Sequence, residues 1–249
     1  MASSPRSGPP TRRWRSPTIG AGWRERERGW RRMSVARVLV FAGGDPNPPE
    51  ALAGLPPGTL VVAADSGAAH ALAAGRRVDV LVGDLDSLDE ATLAEVVAAG
   101  AEVRRHPAAK DATDLALALD VALELGAEAV TMVGGHGGRL DHLLANVALL
   151  AADAYAGVEV DARLGPARLS VVRGRRSLVG RPGELLSLLP VGGPAGGVTT
   201  EGLLFPLRDA TLRPGTTWGV SNQFTDEPAA VQVAEGVLVA VAPGERGSL

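Results

Sequence analysis

The sequence predicts an α/β protein: a Rossmann-like N-terminal domain with a mostly parallel sheet, followed by a smaller C-terminal β-sandwich. Two observations carry this. From Val35 onward, short β-branched runs alternate with Ala/Leu-rich stretches of helical spacing, the pattern of strands joined by crossover helices. After about Gly165 the helical spacing stops, and short apolar runs separated by Gly/Pro turns take over. The 249 residues, 45% of them apolar, suffice for one large or two modest cores.

In the first part, strands are expected at 37–41, 60–64, 78–82, 101–105, 129–133 and 158–162. Helices are expected at 68–74, 89–99, 113–125 and 140–154. Gly75, Gly100, Gly126 and Gly157 stand where C-terminal glycines end such helices. In the second part the runs 169–172, 184–189, 210–212 and 237–241 read as strands. The resulting division is a tail over 1–33, an α/β domain over 34–165 and a β domain over 166–249.

Charge is unevenly placed. Residues 1–33 carry nine Arg and two Glu, a charge of +7, so the other 216 residues carry −10 of the net −3. The tail is broken by Pro and Gly, lacks periodicity and reads as disordered and basic; a start of the chain at Met33 is the alternative reading. Its Glu25 and Glu27 disfavour a transit peptide. The acidic body disfavours broad nucleic-acid binding. Zero cysteines exclude disulfides, thiolate metal sites and cysteine nucleophiles, and agree with a reducing cytoplasm. No apolar run approaches the ~18 residues of a membrane span.

In an open α/β sheet, ligands collect beyond the carboxyl ends of the strands. There the sequence places Gly43-Gly44-Asp45, Asp65-Ser66-Gly67, Gly83-Asp84-Leu85-Asp86-Ser87 and Gly134 to Arg139. Asp84 and Asp86, two apart in extended chain, point to one side and offer hard oxygens to a cation such as Mg²⁺. The plainer reading is a solvated turn with Ser87 and Glu90 as the capping box of the next helix. Lys110, the only lysine, opens Lys110-Asp111-Ala112-Thr113-Asp114, where Asp111 or Thr113 can cap a helix and Asp114 suits its first turn. Gly137, Gly138 and Arg139 can cradle phosphate at a helix start. Asp141 with His142 is an acid/base pair or, more plainly, helix-start structure, with Asn146 on the same face as His142. Trp218 reads as packing or interface.

Taken in order, Ala64 to Ala68, Gly83 to Ser87, Lys110 to Asp114, Gly134 to Asn146, Thr200-Glu201-Gly202-Leu203 with Pro206-Leu207, and Ser221-Asn222 resemble the thiamine pyrophosphokinase (thiamin diphosphokinase) family over about residues 35–243. The resemblance implies Mg²⁺-dependent transfer of diphosphate from ATP to thiamine, giving thiamine diphosphate and AMP, in a homodimer whose active sites are shared between protomers; the composition adds the expectation of a cytoplasmic protein. It implies Mg²⁺ on Asp84, Asp86 and Asp114, and nucleotide or phosphate at Gly43, Gly44, Asp65, Lys110, Thr113, Gly138 and Arg139. Thiamine would meet Asp141, Ser221 and Asn222; Asp65, Asp111 and Asp141 are the candidate bases. Ala116 stands where bacterial members often carry Glu. The competing expectations are a pyrophosphokinase for another alcohol, such as a hydroxymethylpterin, and a non-catalytic nucleotide-binding protein.

Overall fold

The computed structural model describes residues 37–56, 59–225 and 229–244; the expected basic tail lies outside them. Six strands form the parallel part of one sheet: β1 (Val38–Phe41), β2 (Leu60–Ala64), β3 (Val80–Gly83), β4 (Glu102–Arg105), β5 (Ala129–Val133) and β6 (Glu159–Leu164). Their spatial order is β6-β5-β1-β2-β3-β4, every neighbouring pair parallel. The order reverses between β1 and β5, which makes their carboxyl ends the switch point of the sheet.

Side-chain alternation explains why this sheet is covered on both faces. Val38 and Val40 of β1 join one core, whereas Leu39 and Phe41 join the other. The first core is covered by α4 (Asp114–Glu124) and the end of α5 (Leu140–Leu150), through Leu115, Leu119, Ala122 and Leu150. The second is covered by α2 (Gly67–Ala73) and α3 (Glu90–Ala98), through Ala68, Ala71 and Val96. One further helical turn, α1 (Pro49–Leu52), was not expected from the sequence; Pro49 opens it with a preset φ. The helix expected at 140–154 ends at Leu150, and a 3-10 turn at Asp153–Tyr155 follows. None of the described helices is long and apolar enough to cross a membrane.

The β-rich part consists of β7 (Ala167–Leu178), β8 (Leu185–Pro190), β9 (Ala195–Glu201), β10 (Ala210–Leu212), β11 (Asn222–Gln223) and β12 (Ala229–Ala242). β7 pairs antiparallel with β6, so the α/β sheet runs on without a break into the second part. The register of the long β12 shifts between Val233 and Leu238; on one side of that shift it pairs with β9, on the other with β8. This bend closes a core of Val172, Leu186, Leu188, Val198, Leu212, Phe224, Val231 and Leu238. β9 reads Ala-Gly-Gly-Val-Thr-Thr-Glu, which has too few large apolar residues to be recognised as a strand from sequence.

Candidate active site

Asp65 and Asp84 follow β2 and β3 directly, and Asp114 opens α4 after β4. One carboxylate oxygen from each of the three lies within 4.8 Å of the others. Gly83 makes the approach possible: its φ is +149°, and a Cβ there would stand 3.1 Å from Asp114 Oδ1 and 3.2 Å from Asp65 Cβ. Asp65 and Leu85 hold φ of 49° and 65°, a region other residues than glycine seldom adopt, and such strain concentrates at functional turns.

The turn at Leu85 corrects the extended-chain argument for Asp84 and Asp86. Leu85 is buried and left-handed, so Asp84 turns to the cluster while Asp86 stays exposed beside it. The three gathered acids are therefore Asp65, Asp84 and Asp114, with Asp86 outside the group. Sharing a hydrogen bond with Asp84, and facing its charge, raises the Asp86 pKa. Conversely, the Asp86 N–H and the Lys110 ammonium hold Asp84 below the usual carboxylate range.

Lys110 is the counter-ion of the cluster, 3.2 Å from Asp84 Oδ2 and 2.8 Å from Asp114 Oδ1. Burial works against its ammonium, yet the bonds to Asp114 and Asp84 prevail and raise its pKa. Ser87 donates to Asp65 Oδ2 and does not cap α3; the cap is Asp89, which accepts from the Thr92 N–H at 2.8 Å. Thr113 caps α4 by accepting from the Ala116 N–H at 3.2 Å, and Asp114 faces the positive end of that helix. Asp65 Oδ1 is buried without a hydrogen-bond partner among the described residues.

The glycine loops meet at the switch point. Asp45 N–H donates to His136 O at 2.8 Å and Gly135 N–H to Gly43 O at 2.7 Å. A Cβ on Gly44 would collide with His136 O, and one on Gly43 with Ser66 Oγ, so close approach of three loops accounts for both glycines. Gly138, by contrast, has open space around it and a φ of +59°. Beyond it Arg139 forms a two-pronged ion pair with Asp141, at 3.2 and 2.5 Å, both side chains exposed. That pair pushes the Asp141 pKa down to about 2, which makes Asp141 a poor base near neutral pH. Asn146 donates to Gly135 O at 3.1 Å and so braces the loop.

Ser221 is left-handed (φ 59°), its N–H bonded to Ser187 Oγ at 3.1 Å. Asn222 is 4% exposed, and its amide is bonded both ways to the backbone of Phe205, accepting from N–H at 3.0 Å and donating to O at 2.8 Å. It therefore sets the loop that presents Phe205, a role the sequence alone did not suggest. Phe205, Trp218 and Val220 are exposed around it. No hydrogen bond or ion pair among the described residues joins loops 203–206 and 216–222 to the carboxylate cluster.

Comparison with known proteins covers both halves of the chain. Residues 57–160 match the thiamin pyrophosphokinase catalytic domain, and residues 175–238 match the thiamin pyrophosphokinase vitamin B1 binding domain. Thiamine pyrophosphokinase of Bacillus subtilis (strain 168) is 30% identical over 215 residues, 82% of this chain and 97% of that protein. The crystal structure of a Bacillus subtilis thiamine pyrophosphokinase superposes with a TM-score of 0.74 at 25% identity, covering 84% of this chain and all of that one. The Geobacillus thermodenitrificans thiamin pyrophosphokinase gives 0.72 at 27% identity, covering 86% and 100%. The Candida albicans enzyme, 15% identical with a TM-score of 0.68 over 83% of this chain and 88% of that one, shares the fold. With both domain descriptions matched in series and a relative covered almost end to end, the chain belongs to the thiamin pyrophosphokinase family.

Proposed function

We infer that this chain is a thiamine diphosphokinase that uses ATP and Mg²⁺. The observation carrying the reading is the gathering of Asp65, Asp84 and Asp114 at the carboxyl edge of the sheet, in a chain that matches both the catalytic and the vitamin B1 binding parts of the family.

The residues fit a divalent cation. Three hard carboxylates within 4.8 Å, with Asp65 Oδ1 buried and lacking a hydrogen bond among the described residues, form an acidic site for which Lys110 supplies a single positive charge. Asp65, Asp84 and Asp114 would hold Mg²⁺, with Asp86 at the rim; when bound, the ion neutralises polyphosphate charge and polarises the phosphorus under attack. The hydroxyethyl oxygen of thiamine forms a bond to the β-phosphorus of ATP. The bond between that phosphorus and the α,β-bridging oxygen breaks, the hydroxyl proton is lost, and AMP departs with the bridging oxygen. Lys110 and Arg139 supply cationic contacts to phosphate, while Gly138 leaves room for close approach. Ser221, and Phe205 positioned by Asn222, serve the thiamine side. Because these loops make no polar contact with the cluster among the described residues of one chain, we assign them to the cluster of a second copy, in a homodimer with shared sites.

Incubation of the purified chain with ATP and Mg²⁺, followed by quantitation of AMP and thiamine diphosphate, tests the reading. Equimolar AMP and thiamine diphosphate with thiamine present, and no AMP with a hydroxymethylpterin or without acceptor, are expected. AMP release that ignores thiamine, or no release at all, contradicts it.

A further inference from the structure

A second charged cavity, of about 400 Å³, lies on the face of the β6–β7–β12 ladder opposite α4 and α5. Its volume falls in the range of small-molecule sites. Along β6, Glu159, Asp161 and Arg163 alternate with the core residues Val160 and Ala162, so all three face the cavity. The register sets Arg163 directly opposite Arg168 and Asp161 opposite Ser170. Like charges directly across a ladder repel, and of this pair only Arg168 has an ion-pair partner, Glu184, among the described residues.

Most of the charge here is matched. Arg37 and Arg176 pair with Glu159 and Asp161, Arg168 with Glu184, and Arg175 with Glu201. The Arg163 guanidinium donates no hydrogen bond and joins no ion pair among the described residues. Burial lowers its pKa; Asp161 opposes this, and the guanidinium groups of Arg168 and Arg37 add to it. On the far side of Arg168, β12 contributes Ala242, and opposite Ser170 it contributes Ala240. These small side chains leave the floor beneath the arginines open. Leu178, Leu186 and Phe224 form an apolar wall of the same cavity.

We propose that this cavity binds a small organic phosphate, its phosphate held by the guanidinium of Arg163 beside Arg168 and its carbon body against the apolar wall. Guanidinium forks match phosphate oxygens, and the cavity exceeds what inorganic phosphate alone fills. The site is separate from the carboxylate cluster in its residues and rests on the ladder geometry, not on the functional reading.

Calorimetric titration of the full chain in EDTA, with inorganic phosphate, AMP or thiamine diphosphate as separate probes, tests it in wild type, Arg163→Ala and Ala242→Leu. AMP or thiamine diphosphate should bind wild type more tightly than phosphate does, through a step that weakens at least about tenfold in Arg163→Ala. Ala242→Leu keeps every charge but fills the floor, so it should lose the same step; it decides the matter if Arg163→Ala fails to fold. Binding at the carboxylate cluster survives both substitutions, so failure of the functional reading removes a different step. Identical isotherms in all three proteins, or no binding of any probe at millimolar concentration, overturn the proposal.

Discussion

Asn222 stands behind Phe205 with both halves of its amide committed to backbone, and it is nearly excluded from water. Asn222→Ala leaves the Phe205 N–H and C=O without those partners, at a cost of about 2 kcal/mol. For a chain of this size that lowers the melting midpoint by roughly 4–8 °C. Thiamine KM should rise more than kcat falls, because the displaced residue belongs to the binding loop; calorimetry with steady-state kinetics reads both. An unchanged midpoint would show that the paired hydrogen bonds carry no stability. The motif Ser221-Asn222 was legible in the sequence, but its division of labour was not, since that depends on a loop 17 residues away. Likewise Asp65 was placed at the same sheet edge as Asp84 but not in one carboxylate set with Asp84 and Asp114, because strand order, not sequence spacing, brings β2, β3 and the start of α4 together.

At the scale of elements, α3 illustrates how capping fixes a boundary. Asp89 accepts from both the hydroxyl and the N–H of Thr92, and these bonds hold its carboxyl below the usual carboxylate range. A depressed folded-state pKa stabilises above the unfolded value, and that contribution fades as pH falls through the folded one. Asp89→Ala should therefore melt about 2–4 °C lower than wild type at pH 7, and the gap should close at acid pH, with kcat unchanged at neutral pH. A gap that persists once the pH is low enough to protonate Asp89 in the folded protein would assign the loss to something other than the ionised cap. The sequence offered Ser87 with Glu90 for this cap, a match in spacing that the Ser87 bond to Asp65 pre-empts. β1, β2, β3 and β5 were legible because apolar, largely β-branched runs buried on both faces are hard to mistake. β9 and the full lengths of β7 and β12 were not, because glycines and arginines interrupt their apolar pattern.

For the whole molecule, exposed Leu140 and Leu144 on α5, and Phe205, Trp218 and Val220 in the β-rich part, leave apolar surface that a second copy would cover. If each site joins the carboxylates of one protomer to the β-rich loops of the other, Asp84→Asn and Phe205→Ala chains, chosen so that each is nearly inactive alone, should complement when refolded together. Random pairing makes about half the dimers mixed, with one intact site in each, so about a quarter of wild-type activity should return. No recovery from two folded, dimeric variants would place each site within a single chain.

In the proposed site, Asp65, Asp84 and Asp114 together hold the divalent cation on which diphosphate transfer depends. Mn²⁺ titration, followed by electron paramagnetic resonance in the presence of a non-hydrolysable ATP analogue, tests this most directly. Asp65→Asn, Asp84→Asn and Asp114→Asn should each weaken Mn²⁺ binding at least about tenfold, and Asp86→Asn less than any of them. Wild-type Mn²⁺ affinity in folded Asp65→Asn and Asp84→Asn proteins would contradict it.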